Sequence, residues 1–368
     1  MRIIITGGGT GGHTSPAVAV IEELQKRDPR LHLLWVGRTG GVEQRISEKL
    51  SLPFRGLPVE GWPRRRTPRQ LWAGAKLVYS ALRSMLIVRK FSPQMVLGVG
   101  GYVSLPLVWA AQRLGLPTVL HEQNKRLGMA NRILARRATR LFLSYPDTLG
   151  NFPPGIARVV GNPVRAGFTK PPSRETARAT MGLEPSIPVV LVSGGSQGSR
   201  TLNQALTGLV GQLAPGEAQI LWMTGASGAA DARRVAAESK ARVEVFPYIE
   251  DMVSACAAAD LIISRSGASS TAEIAMLGKP TILVPYPFAA DNHQEENARA
   301  FEQAEASLIL LDSECSPERL LSEMRGLLAD KARLAAMGTA AASLARPGAA
   351  EHMVEDMFSL VFPTTPAD

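Results

Sequence analysis

The stretch from Leu261 to Asn297, LIISRSGASSTAEIAMLGKPTILVPYPFAADNHQEEN, constrains the fold more than any other part of the chain. Leu261 to Ile263 is a short apolar run that reads as a buried strand. Ser264 to Ser269 is a small-residue loop through which backbone amides approach a ligand closely. A helix is expected next, with Ser270 as its N-cap and Glu273 three residues on completing a capping box. Gly278 sits where the helix should stop, and Pro280 prevents its continuation into the next strand, Thr281 to Val284. Strand, loop, helix and strand in this order build a parallel sheet. Its carboxyl edge receives the positive end of the helix, and anions bind there.

The N-terminus opens in the same way. Arg2 to Thr6 reads as a buried strand and GGGTGGH, Gly7 to His13, as a turn into a helix that Ser15 caps and Pro16 opens. Gly7, Gly9 and Gly12 satisfy GxGxxG, but a dinucleotide site also needs an acidic residue after the second strand, and Leu33 to Val36 runs into Gly37 and Arg38. A nicotinamide site is therefore disfavoured, while a phosphate cradle remains. His13, at its mouth, either packs against the loop or serves as a general base. Met95 to Val99 is a further strand that leads into Gly100, Gly101 and Tyr102. Thr118 to Leu120 is another, ending in His121, Glu122, Gln123 and Asn124. Polar and glycine residues at the ends of successive parallel strands face one edge, so these three loops should share a crevice. Val159 and Val160 run into Gly161 to Arg165, and the stretch to Ser173 reads as a linker.

A chain of 368 residues suits two α/β domains, and 45% hydrophobic content with 34 glycines fits that class. No run approaches the roughly eighteen apolar residues of a spanning helix. The strand at the very start leaves no room for a signal peptide, so a place inside the cell is expected. Cys256 and Cys315 lack metal spacing and read as packing residues; the five histidines show no paired ligand spacing either. No DxD-type acid pair is present to hold a divalent ion beside a diphosphate, so no metal and no cofactor are expected. A net charge of +9 points to an anionic partner, and 5% aromatic content without a nucleic-acid module argues against nucleic acid. From Gln70 to Lys90 a helix is expected, with most of its apolar residues in the core. Trp62, Arg64, Arg65, Arg66, Arg69, Trp72 and Arg83 around it form a candidate patch for an anionic membrane surface.

GGGTGGH, GVGGYVS, LHEQN and VVGNPVR, followed by SGGSQGS and the Ser266 to Asn297 stretch, resemble in order and spacing the MurG family of GT-B glycosyltransferases, over essentially the whole chain. The resemblance implies two Rossmann-like, doubly wound parallel-sheet domains facing across a cleft. Residues 1–163 would form the acceptor and membrane side, 164–345 the UDP-sugar domain, and 346–368 a helix returning to the first domain. It further implies inverting transfer of N-acetylglucosamine from UDP-N-acetylglucosamine to the 4-hydroxyl of N-acetylmuramic acid in a lipid-linked pentapeptide acceptor, lipid I. The enzyme would be peripheral on the cytoplasmic face of the bacterial inner membrane.

By the same resemblance, Glu273 holds the donor ribose rather than acting only as a cap. The helix start at Ala268, Ser269 and Ser270 and the turn at Ser196 and Gln197 face the diphosphate. Ile249 and Met252 bracket the uracil, and His293, Gln294 and Asn297 meet the sugar; the family often has Gln at the His293 position. Thr10, Gly11, Gly12, Asn124 and Arg165 are also implied on the donor side. Gly9, Thr10, Gly11, His13, Gly100, Gly101, Tyr102 and Asn124 are implied on the acceptor side, with His13 as base. Two alternatives stay open: another GT-B activity on UDP-N-acetylglucosamine, such as a 2-epimerase, and a non-catalytic membrane-docked nucleotide-sugar binder.

Overall fold

The computed structural model describes residues 1–9, 11–61 and 69–362, with the side chain at position 69 outside that description. The strands are β1 (Arg2–Thr6), β2 (His32–Arg38), β3 (Phe54–Leu57), β4 (Met95–Gly98), β5 (Thr118–Glu122), β6 (Arg140–Leu143), β7 (Ala157–Val159), β8 (Val189–Ser193), β9 (Gln219–Met223), β10 (Val243–Phe246), β11 (Leu261–Ser264), β12 (Thr281–Leu283) and β13 (Ser307–Ile309). The helices are α1 (Gly11–Arg27), α2 (Val42–Lys49), α3 (Arg69–Phe91), α4 (Ser104–Arg113), α5 (Met129–Leu134), α6 (Ala166–Thr169), α7 (Arg174–Thr180), α8 (Arg200–Leu209), α9 (Ala229–Glu238), α10 (Met252–Ala258), α11 (Ala268–Leu277), α12 (His293–Gln303), α13 (Pro317–Ala329), α14 (Lys331–Ser343) and α15 (Ala349–Val361). They divide into two compact units, Met1–Arg165 with the chain from Arg346, and Ala166–Ala345.

In the first unit the described strands form one parallel sheet in the order β3-β2-β1-β4-β5-β6-β7. Side chains alternate along each strand, so the sheet needs cover on both faces. Ile3 and Ile5 of β1 and Met95 and Leu97 of β4 pack with Ile21 and Leu24 of α1 and Met353, Val354 and Met357 of α15. Ile4 and Val96, one residue out of phase, pack with Val88 of α3, Leu107 of α4 and Leu134 of α5. Arg140 of β6 pairs with Asp356 at 2.6 Å and fixes α15 to this sheet.

The second unit repeats the plan with the order β10-β9-β8-β11-β12-β13, again parallel. Val190 and Val192 of β8 pack with Leu202 and Leu206 of α8, Ala232 of α9 and Leu320 and Met324 of α13. Arg178 of α7 is only 1% exposed, and donates to the carbonyls of Ala258 at 3.1 Å and Ile187 at 3.2 Å while pairing with Asp260. A buried guanidinium of this kind is tolerated because its donors are matched. Both sheets are the doubly wound type, and their order reverses at β1/β4 and at β8/β11.

Four local expectations are corrected. Helix α1 begins at Gly11, so Ser15 is not its cap and Pro16 lies inside it; a proline ring keeps helical φ and removes a single amide close to the helix start. Helix α11 begins at Ala268 with Gly267 as N-cap and no side-chain cap bond, which places Ser270 and Glu273 within the helix, and the capping box does not form. Gly278 does end it, in the left-handed conformation at φ 58. The stretch after Arg165 is not a loose linker, because Phe168 of α6 is fully buried in the second unit.

The fourth correction concerns α3. Its buried residues are small: Ala73, Ser80, Ser84 and Val88. Much of its large apolar surface faces out, with Leu71 81%, Trp72 70%, Val78 62%, Leu82 59% and Leu86 66% exposed, while Ile87 and Phe91 pack against the core. Gln70–Phe91 is also long and apolar enough, by length and composition only, to cross a membrane, the one such helix among the described residues. Helix α3 nevertheless commits its small-residue face to the first unit, where it covers α4 and the sheet.

Candidate functional site

In the first unit the edge at the β1/β4 switch is built from glycines. Thr6 lies opposite Gly98, and Gly7, Gly8 and Gly9 follow with φ of 145, 139 and 87. A Cβ on Gly7 would collide with Val99, and one on Gly8 with Glu43, so the close approach as well as the torsion requires glycine here. The Gly8 amide donates to the Gly100 carbonyl at 3.4 Å. The Gly9 amide donates to the carboxylate of Glu43, a residue of α2 with no exposed surface. Tyr102 lies over Gly9, where an added Cβ would come within 2.9 Å of its ring.

His13, in the first turn of α1, is brought to these loops. Its ring lies against Gly100 and Gly101, with Nδ1 3.1 Å and Cδ2 3.4 Å from where their Cβ atoms would be. Nδ1 is hydrogen-bonded to the carboxamide of Gln123, just after β5. The loops after β1, β4 and β5 therefore do meet, around His13. Glu122, 2% exposed, accepts from the Asn124 amide and the Asn124 side chain, both at 3.1 Å, from Gly128 at 2.8 Å and from Asn131 at 2.9 Å. These donors oppose a rise in its pKa, but burial still pushes it up. His121 is fully buried near the Gly161 carbonyl and the Ser144 hydroxyl, each 3.4 Å from Nε2; burial first, and His13 in addition, hold it down at about 4. Glu122 thus orients Asn124.

The second unit has the matching edge at β8/β11, where Ser193 lies opposite Ser264. Gly194 to Ser199 forms a tight turn in which the Gly198 amide donates to Gly195 at 2.9 Å, and Ser199 caps α8 by accepting from Leu202 at 3.3 Å. Ser196 and Gln197 are exposed at its tip. Next to it, α11 starts at Ala268, and its first intrahelical amide is that of Thr271, donating to Gly267 at 2.9 Å. The amides of residues 268–270 therefore point along the axis toward the sheet edge, where the helix dipole favours an anion. Ser269 and Ser270 lie four and three residues before Glu273 and so share its face of the helix. Glu273 is half-buried.

The loop after β11 is held from below and from the side. Arg265, 9% exposed, donates to the carbonyls of Val284 and Pro285, each at 3.0 Å, and pairs with Asp312 at 2.6 Å. Gln294 accepts the Tyr286 amide at 3.0 Å, and the Nδ1 proton of His293 is directed at Ala290 O, 2.6 Å away. Asn297 is 1% exposed and donates to Ser266 O at 3.0 Å. Its side chain therefore braces the loop rather than standing on the surface. At the end of β10, Ile249 is buried with its amide 3.4 Å from Met223 Sδ, and half-buried Met252 opens α10.

Not every expected residue is in view. Thr10, Trp62, Arg64, Arg65 and Arg66 lie outside the described residues, as does the side chain of Arg69. Gly11 and Gly12 open α1, and half-buried Arg165 ends the first stretch of the first unit. Trp72 and Arg83 are exposed on α3. Sequence reasoning missed Glu43 and Arg265 as parts of the site. It placed Gln123 at the shared crevice through the HEQN strand end but gave it no role.

The outer layer of the first unit continues from α3 through α4 to α5. Met129 and Ile133 of α5 are 67% and 51% exposed. A hollow of about 290 Å³ nearby is lined by Arg126, Arg132, Arg136, Leu149, Gly150 and Asn151. Arg113 stacks on Trp109 at 5.2 Å in the same layer.

Residues 3–143 match the glycosyltransferase family 28 N-terminal domain, and residues 189–353 its C-terminal domain. A protein of Desulforudis audaxviator (strain MP104C), described as UDP-N-acetylglucosamine--N-acetylmuramyl-(pentapeptide) pyrophosphoryl-undecaprenol N-acetylglucosamine transferase, is 39% identical over 365 residues, 96% of this chain and 97% of its own. The crystal structure of Acinetobacter baumannii MurG superposes with a TM-score of 0.75 at 28% identity, covering 97% of this chain and 99% of that one. The UDP-GlcNAc 2-epimerase of Neisseria meningitidis, solved with UDP-GlcNAc bound, reaches a TM-score of 0.68 at 12% identity over 98% of this chain and all of its own, a likeness of fold alone.

Proposed function

The chain belongs to glycosyltransferase family 28, and from that premise we propose that it transfers N-acetylglucosamine from UDP-N-acetylglucosamine to undecaprenyl-diphospho-N-acetylmuramoyl-pentapeptide, a step of peptidoglycan synthesis. The observation that carries this reading is the duplicated switch-point edge. One glycine-built edge presents a histidine, and the other presents a helix N-terminus with a carboxylate on the same face.

The donor belongs to the second unit. The diphosphate meets the amides at the start of α11 and the turn at Ser196 and Gln197, both at the β8/β11 switch. Glu273, on the face of α11 that Ser269 and Ser270 share, takes the ribose hydroxyls. The base lies by Ile249 and Met252, and the sugar by His293 and Gln294, with Asn297 holding the loop in shape. The same dipoles stabilise the charge that develops on departing UDP, so the reaction proceeds without a divalent ion.

The acceptor belongs to the first unit. Its diphosphate lies at the glycine turn and Tyr102, and Asn124, oriented by Glu122, meets its sugar. His13 takes the proton of the attacking 4-hydroxyl, which enters opposite the leaving UDP and inverts the anomeric carbon. The acceptor is lipid-linked, and the exposed apolar face of α3 with Arg83, and Arg126, Arg132 and Arg136 in and around α5, supports docking on an anionic membrane surface. His13→Ala tests the base: turnover should fall about a hundredfold or more with UDP affinity unchanged. A loss confined to acceptor affinity would reject the role.

A further inference from the structure

Gln123 is 3% exposed, and its carboxamide nitrogen is hydrogen-bonded to Nδ1 of His13, 110 residues away in sequence. Its carboxamide oxygen is buried without a hydrogen-bond partner. Which of its two ends a carboxamide turns to a neighbour is an assignment, because the amide reverses about its last torsion with almost no change of shape. The two orientations select opposite tautomers of the histidine. With the nitrogen facing it, Nδ1 must offer a lone pair and the ring proton sits on Nε2. With the oxygen facing it, Nδ1 carries the proton and Nε2 keeps its lone pair. Only the second tautomer accepts a proton at Nε2, and only an oxygen at Nδ1 suits the imidazolium that then forms.

We infer that Gln123 is a positioning residue for His13: its carboxamide oxygen receives the Nδ1 proton and so holds the tautomer whose Nε2 takes the acceptor proton. This rests on the reading of His13 as the base. In the step, an oxygen electron pair of the acceptor hydroxyl forms the bond to the anomeric carbon and the hydroxyl proton passes to Nε2. The bond from that carbon to the diphosphate breaks, its pair leaving on UDP. The arrangement has the logic of a nucleophile, base and orienter set, with a neutral orienter. The titratable groups described around the turn are His121 and Glu122 on β5, Tyr102 after β4 and Glu43 of α2, Glu122 being held by Asn124, Gly128 and Asn131 and Glu43 by the Gly9 amide.

The test uses the whole protein with Gln123→Leu and Gln123→Glu, each assayed for kcat and donor KM across pH. Gln123→Leu should lower kcat at least tenfold with donor KM unchanged. Gln123→Glu places a carboxylate at Nδ1, favours the imidazolium, and should move the acidic limb of kcat/KM upward by roughly one pH unit or more. Wild-type kcat in the leucine variant, or an unmoved limb in the glutamate variant, would overturn the inference. Imidazole ¹⁵N NMR of His13 reads tautomer and titration without turnover, so it still decides the matter if the wild-type protein transfers no sugar. Gln123→Glu must then raise the His13 titration; an unchanged titration refutes the pairing.

Discussion

The side-chain amide of Asn297 donates to the carbonyl of Ser266 at 3.0 Å, and the Ser266 hydroxyl in turn donates to the carbonyl of Gln294 at 2.7 Å. Two hydrogen bonds thus tie the start of α12 to the loop that leads into α11. The loop proposed to hold the donor's diphosphate and the helix proposed to meet its sugar are thereby fastened to each other.

Replacing Asn297 by Ala leaves the buried Ser266 carbonyl without that donor, which should cost about 1–3 kcal/mol in urea unfolding. UDP affinity, measured by calorimetric titration, should weaken with it. Lost donor binding at unchanged stability would instead indicate a direct contact with the sugar.

Glu273→Ala separates the two readings of that carboxylate. Because no capping box forms, the loss of about 1 kcal/mol that removing a true cap causes is not expected from capping. UDP should bind more weakly, and the preference for UDP over its 2′-deoxy analogue should shrink. Unchanged UDP affinity would remove the ribose role.

Trp72→Glu combined with Leu86→Glu changes two side chains that are 70% and 66% exposed. The variant should fold with wild-type thermal stability and no longer cosediment with vesicles containing anionic phospholipid. Retained sedimentation would remove α3 as the docking surface.

His121 makes stability depend on pH. Its pKa falls from 6.5 to about 4 on folding, so the unfolded chain takes up the proton first. The stabilisation is complete above pH 6.5 and is lost as pH falls toward 4, by about 3 kcal/mol in all. His121→Asn should show a shallower decline than wild type over that window in urea unfolding. Parallel declines would contradict the burial of a neutral imidazole.

Both doubly wound sheets were legible in the sequence, because each glycine turn follows directly on an apolar run and glycine is what the positive φ of Gly9 or Gly100 requires. Positions that depend on distant partners were not. Nothing near Glu43 signals its bond to Gly9, 34 residues away. Local signals also misled. Ser270 and Glu273 have capping-box spacing, yet α11 starts three residues earlier than that box requires, at Ala268 with Gly267 as its N-cap. The composition of α3 gave its length but not its orientation, since its small residues, Ala73, Ser80 and Ser84, occupy the packed face. Asn297 has the residue type of a sugar contact, and only the fold shows it turned inward to Ser266.

The most direct measurement is transfer of labelled N-acetylglucosamine from UDP-N-acetylglucosamine to a short-chain lipid-linked N-acetylmuramoyl-pentapeptide, with EDTA present and an acceptor-free control. The account predicts disaccharide product that requires the acceptor, survives chelation and is lost in His13→Ala. Conversion of the donor without acceptor, or bound donor with no disaccharide formed, would contradict it.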